Sequence, residues 1–215
     1  ADVDTNDTSL TITATGLPNG LTLTDGVISG TPTNAAVGDT TVSITATDST
    51  GASVTDQIVI SVTNVNDAPT VANAQDNQTT AEDSAFSYTI PTNTFADVDT
   101  NDTSLTITAT GLPTGLTLTD GVISGTPTNA VVGDHTVTIT ATDSSNATVT
   151  DEMVITVTNT NDAPTVANAQ DNQTATEDTS FSYTIPTNTF ADVDTNDTSL
   201  TITATGLPTG LTLTD

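Results

Sequence analysis

Short runs in which apolar and polar residues alternate recur along this chain, with turn residues between them. Phe86-Ser87-Tyr88-Thr89-Ile90 places Phe86, Tyr88 and Ile90 on one face. Leu105, Ile107 and Ala109 alternate with Thr106, Thr108 and Thr110, and Leu116 and Leu118 flank Thr117. Val137, Ile139 and Ala141 alternate with Thr138, Thr140 and Thr142, and Met153, Ile155 and Val157 with Val154, Thr156 and Thr158. A period of two belongs to strands with one buried face. A one-residue slip would turn each apolar set to solvent, so the pattern also specifies register. No segment carries a helical period. Gly111-Leu112-Pro113-Thr114-Gly115, Asp120-Gly121 and Asp143-Ser144-Ser145-Asn146 supply turns between the runs.

The runs are themselves repeated. Ala-Asp-Val-Asp-Thr-Asn-Asp begins at residues 1, 96 and 191, an interval of 95 residues. The copies differ mildly, as in Ala36 against Val131, Ile58 against Met153 and Thr40 against His135. A period of this size fits a whole β-sandwich domain rather than a solenoid turn. The natural boundary is the stretch Val62-Thr63-Asn64-Val65-Asn66-Asp67-Ala68-Pro69-Thr70, which returns as Val157–Thr165. Its proline stops regular pairing and holds the preceding residue extended, which predicts a short, stiff connector. Residues 68–162 then form one complete repeat. Residues 1–67 are the later strands of a preceding repeat, and 163–215 the early strands of a following one. About seven strands per repeat are predicted, as in an immunoglobulin-like sandwich. The chain starts mid-repeat without Met, so it reads as a stretch of a longer polypeptide whose neighbouring residues complete each end. The competing expectation is strand exchange between like chains, head to tail.

Composition sharpens this picture. The hydrophobic fraction is 33% and aromatics are 3%, a lean core supply in which strict patterning, rather than abundance, argues for folding. Threonine, about a quarter of the residues, favours strands and covers solvent faces without charge. There is no Lys or Arg against 27 Asp and Glu, a net charge of −27. That balance disfavours nucleic acid and anionic membrane surfaces as partners and favours a cation-rich medium. No run is apolar over a membrane-spanning length. A catalytic triad lacks its base, because His135 is the single histidine and Thr40 replaces it in the other copy. Zinc chemistry lacks clustered Cys or His. Asp97 and Asp99 lie too close, on one side, to work as a glycosidase pair.

The connectors carry the remaining chemistry. Asn64, Asn66 and Asp67 fall within four positions, and clustered Asp and Asn oxygens are what a hard cation such as Ca²⁺ requires. Asp97 and Asp99, two apart on an extended chain, can share one cation. The same residues could instead cap turns and solvate loops.

The pattern N-x-N-D-A-P resembles the D-x-N-D-N linker of cadherin-like repeats, with Asn64 in place of the first Asp and Ala68 in place of the last Asn. Phe95-Ala96-Asp97-Val98-Asp99 resembles their D-x-D motif, Ala141-Thr142-Asp143 their A-x-D motif, and Thr80-Ala81-Glu82-Asp83 their acidic early strand. Gly111–Leu118 followed by Gly121–Thr128 is similar to the L-P-x-G-L…G-x-I-x-G-T-P-T signature of immunoglobulin-like and dystroglycan-type cadherin-like repeats of large bacterial and archaeal surface proteins. The resemblance implies an all-β fold of tandem sandwiches with Ca²⁺ between them. One junction would gather Asn64, Asn66, Asp67, Asp97, Asp99 and Asp143. The other would gather Glu82, Asn159, Asn161, Asp162, Asp192 and Asp194. The L-D-R-E motif is absent, which implies one or two ions per junction rather than three.

The expected role is a non-catalytic extracellular structural region, a calcium-stiffened extender of a giant surface adhesin or the body of an extracellular filament. Its expected partners are neighbouring repeats of the same or like chains, and a glycan or cell-surface target beyond them. The alternative is a carbohydrate-binding array. That reading needs an exposed aromatic platform, and Phe95 is the candidate outside the alternating core pattern.

Overall fold

The computed structural model describes residues 10–99, 104–194 and 200–214. The first Ala-Asp-Val-Asp-Thr-Asn-Asp copy, and the last three residues of the other two, lie outside them. In chain order the strands are β1 (Thr11–Thr15), β2 (Leu21–Thr24), β3 (Val27–Gly30), β4 (Gly38–Thr47), β5 (Ser53–Val62), β6 (Thr70–Val71), β7 (Gln78–Ala81) and β8 (Phe86–Thr89). They continue as β9 (Phe95–Ala96), β10 (Thr106–Thr110), β11 (Leu116–Thr119), β12 (Val122–Gly125), β13 (Gly133–Thr142), β14 (Thr148–Thr158), β15 (Thr165–Val166) and β16 (Phe190–Ala191). Among the described residues the helical content is two 3₁₀ turns, Asn34–Ala36 and Asn129–Val131. None is long and apolar enough to cross a membrane.

The chain divides into two compact units. One comprises Ala1–Asn73, Thr92–Ile107 and Thr140–Thr150; the other comprises Ala74–Pro91, Thr108–Ile139 and Asp151–Asp215. In the first, β1, β4 and β5 form an antiparallel sheet in the order β1-β4-β5, β2 pairs with β3, and β6 pairs with β9. In the second, β11-β12-β8 form an antiparallel sheet and β15 pairs with β16. A four-stranded sheet has the order β10-β13-β14-β7, with β7 parallel to β14.

The alternation read from the sequence is what the complete repeat buries. Val137, Ile139 and Ala141 of β13 are 0% exposed, and Met153, Ile155 and Val157 of β14 are at most 1% exposed. Leu116 of β11 and Ile123 of β12 are buried too. Each such Val, Ile, Leu or Met side chain contributes roughly 1.5–3 kcal/mol on burial. The intervening threonines of β13 and β14 remain partly or fully exposed.

The first repeat carries the same alternation: Val42 of β4 is buried, and Ile58 of β5, the counterpart of Met153, is 38% exposed. Strand β14 is flanked by β13 and β7; among the described residues β5 pairs with β4.

Turn chemistry fixes the hairpins. Asp120 and Gly121, between β11 and β12, have φ of 49° and 76°, the paired left-handed residues of a tight hairpin turn. At the other end of that hairpin, Gly125 has φ of 143°, and a Cβ there would collide with the Gly115 backbone. Glycine therefore lets the two chains approach, and Thr126 N–H donates to the Gly115 carbonyl at 3.0 Å.

Candidate cation-binding connectors

In the first connector the backbone turns its donors onto carboxylates. The Asp99 N–H donates to Asp97 Oδ1 at 2.8 Å, and the Asp67 N–H donates to Asp99 Oδ2 at 2.8 Å. Asn66 Nδ2 donates to Asp143 Oδ2 and to its neighbour's carbonyl, Asp67 O, both at 2.9 Å. Thus Asn66, Asp67, Asp97, Asp99 and Asp143 are joined in one hydrogen-bonded network. These bonds use one oxygen of Asp97 and one of Asp99. Asp97 Oδ2, Asp99 Oδ1 and Asn64 Oδ1 are buried with no hydrogen-bond donor among the described residues, and Asp99 as a whole is only 4% exposed.

The second connector repeats the backbone-to-carboxylate bonds of the first. Asp194 N–H donates to Asp192 Oδ1 at 2.9 Å, Asp162 N–H to Asp194 Oδ2 at 2.8 Å, and Asn161 Nδ2 to Asp162 O at 2.8 Å. Asn159 Oδ1, Asp192 Oδ2 and Asp194 Oδ1 are again buried without donors among the described residues. Glu82 joins this connector. Its N–H is held by the Thr158 carbonyl at 3.0 Å, and its Oε1 accepts the Thr160 N–H at 2.8 Å. The side chain is 0% exposed, and Oε2 has no donor.

One of the sequence-predicted residues, Asp143, serves a turn as well. Asp143 Oδ1 accepts the N–H groups of Ser145 and Ala147 at 2.9 and 2.7 Å, closing the loop between β13 and β14. The Asn66 carboxamide, foremost, and these backbone donors hold the Asp143 carboxyl below the usual aspartate range, against the opposing effect of burial. Asp48 makes the equivalent turn through Thr50 and Ala52. Asn66 and Asn161 place their Nδ2 groups on neighbouring acceptors.

Sequence reasoning missed one pair of residues. Asn34 Nδ2 donates to Asp67 Oδ2, and Asn129 Nδ2 to Asp162 Oδ2, each at 2.8 Å. Both follow a Thr-Pro-Thr triplet, and that repetition was the available signal.

Among the described residues, no three His, Cys, Asp or Glu side chains form a metal cluster by themselves. Any cation here would be held by carboxylates together with carboxamide and backbone oxygens, a set of hard donors suited to Ca²⁺ rather than to Zn²⁺. His135 contacts the Val131 carbonyl at 2.6 Å, a local tie on β13. Phe95 is only 8% exposed, so it offers no stacking platform, and the sugar-binding expectation loses its named residue.

The fold and this repetition define tandem immunoglobulin-like β-sandwich repeats. Residues 1–63, 68–158 and 163–215 match the He_PIG family of Ig domains, and the chain belongs to that family. It is 38% identical over 142 residues to the "Serine-rich adhesin for platelets" of Staphylococcus aureus strain MRSA252, an alignment covering 64% of this chain and 10% of that protein. The counterpart in strain USA300 is 37% identical over 142 residues, 64% of this chain and 6% of that protein. The chain therefore spans a small part of these relatives. Among solved structures, the first two cadherin domains (EC1-2) of human mucin-like protocadherin superpose with a TM-score of 0.52 at 18% identity, covering 70% of this chain and 85% of that one. That likeness concerns the fold.

Proposed function

We propose that this chain is a non-catalytic spacer of an extracellular surface adhesin or filament, and that Ca²⁺ holds its connectors. The observation that carries the calcium reading is the set of buried oxygens without donors: Asn64, Asp97 and Asp99 at one connector, and Glu82, Asn159, Asp192 and Asp194 at the other. A buried carboxylate oxygen without a partner is costly, and this chain has no Lys or Arg to offset it. A hard cation bound among these oxygens would neutralise the charge and satisfy the lone pairs.

In this reading Asp97, Asp99 and Asn64 hold the ion at the first connector, with Asp67 and Asp143 beside them. Asp192, Asp194 and Asn159 hold the equivalent ion at the second, with Asp162 beside them and Glu82 bonded to the Thr160 N–H of the same connector. One or two ions per connector balance the charge. Asn66 and Asn161 act by positioning, because their donors steady the connector backbone. The ion's part is charge neutralisation. The residues' part is to tie the connector to the loops at Asp97–Asp99 and Asp192–Asp194, which would restrict bending. The likeness to staphylococcal adhesins supports a place on the cell surface, with neighbouring repeats of the same or like chains as the immediate partners. Small-angle scattering in calcium and then in chelator tests this role. Loss of an extended, uniform profile in chelator is expected; an identical profile in both would overturn it.

A further inference from the structure

We propose that Asn129 is a direct cation ligand that also clamps the connector aspartate, and that Asn34 makes the same clamp in the preceding repeat; this rests on the calcium reading above. Asp162 Oδ2, in a carboxylate, can only accept, so the Asn129 atom facing it at 2.8 Å is the donor Nδ2. The other carboxamide atom is then Oδ1, and it is buried with no donor among the described residues. It therefore presents the same unsatisfied state as Asp192 Oδ2 and Asp194 Oδ1 of the same connector. Asp162 links the three, since its N–H is bonded to Asp194 Oδ2 while its own Oδ2 holds Asn129.

The backbone brings Asn129 to this position. Pro127 O accepts the Asp83 N–H at 2.9 Å, which ties the Thr-Pro-Thr segment to the residue after Glu82. The 3₁₀ turn then closes through Val131 N–H to Thr128 O at 3.0 Å, setting the Asn129 side chain toward the connector. Asn34 repeats the clamp on Asp67 at 2.8 Å, with its own turn closed by Ala36 N–H to Thr33 O at 2.8 Å. A neutral amide suits both tasks. Its oxygen is a hard ligand that adds no charge to an already acidic site, and its nitrogen orients a carboxylate that would otherwise be repelled.

The experiment is calorimetric titration of the full chain with CaCl₂, with melting curves in calcium and in chelator. Asn34→Ala with Asn129→Ala should weaken calcium binding by about tenfold or more, as loss of a ligand and of its orienting contact together implies. Asn34→Asp with Asn129→Asp keeps an oxygen ligand but sets two carboxylates face to face. It should bind calcium more tightly than the Ala pair, melt lower than wild type in chelator, and gain more than wild type from calcium. If wild type binds no calcium, the underlying reading fails. If wild type binds and both variant pairs bind with its affinity, the ligand role of Asn129 fails alone. Should the Ala pair not fold, an Asp pair with the wild-type calcium-dependent gain in melting temperature overturns the proposal.

Discussion

The backbone N–H of Asp67 donates to Asp99 Oδ2 at 2.8 Å, across a separation of 32 residues. One repeat later Asp162 and Asp194 make the same bond at the same length. The connector is therefore not a free hinge: a main-chain donor anchors it to the loop after β9, and again after β16. The bond occupies one carboxylate oxygen and leaves Oδ1 of Asp99 and of Asp194 buried without a donor.

That geometry separates charge from hydrogen bonding. Asp99→Asn with Asp194→Asn can retain an acceptor for the Asp67 and Asp162 N–H groups while removing two negative charges. In chelator the variant should melt at or above wild type, because buried like charges are relieved. In calcium it should lose most of the calcium-dependent stabilisation. Differential scanning calorimetry in both buffers reads the two effects, and equal calcium gains for variant and wild type would contradict them.

The core predicts an asymmetry between the two faces of one strand. Ile155 of β14 is 0% exposed, whereas its neighbour Val154, on the opposite face, is half-buried. Ile155→Ala should cost about 2–5 kcal/mol, as expected for a fully enclosed isoleucine. Val154→Ala should cost distinctly less. Denaturant unfolding of the two variants measures the difference, and equal losses would contradict the register given for β14.

Asp143 gives a pH prediction. Its carboxyl lies below the usual aspartate range because the Asn66 carboxamide, then the Ala147 and Ser145 N–H groups, favour the charged form. A depressed folded value means that its stabilising contribution is present above the unfolded value and lost as pH falls through the folded one, in the region below about pH 4. Asp48 is also depressed, but through the Thr50 hydroxyl first. Carboxyl titration by NMR in chelator should place both below free aspartate. Asn66→Ala should raise Asp143 and leave Asp48 where it was. A common response would contradict the assigned causes.

Glycine sets the fourth expectation. Gly125→Ala must adopt φ near 143° and push a Cβ into the Gly115 backbone. A loss of about 1–3 kcal/mol is expected from the left-handed conformation, with further cost from the clash. Gly121→Ala, where a Cβ meets nothing, should cost less. Thermal melts compare them.

What was legible in the sequence follows from periodicity. Alternation at Val137–Ala141 and Met153–Val157 identified strands and their buried face, because a period of two has a single structural meaning when its register is bounded by turns. Acidic motifs two residues apart marked the connector oxygens. Asn34 and Asn129 escaped notice because their role depends on a contact 33 residues away, and an asparagine after Thr-Pro-Thr reads locally as a turn residue. The double use of Asp143, on its own turn and on Asn66, was hidden for the same reason.

The central claim is that calcium occupies both connectors, and equilibrium calcium binding to the full chain tests it most directly. The account predicts saturable binding at two sets of sites, one or two ions each, that is lost from one set in Asp97→Asn plus Asp99→Asn and from the other in Asp192→Asn plus Asp194→Asn. No saturable binding, or binding unchanged by both pairs of substitutions, would contradict it.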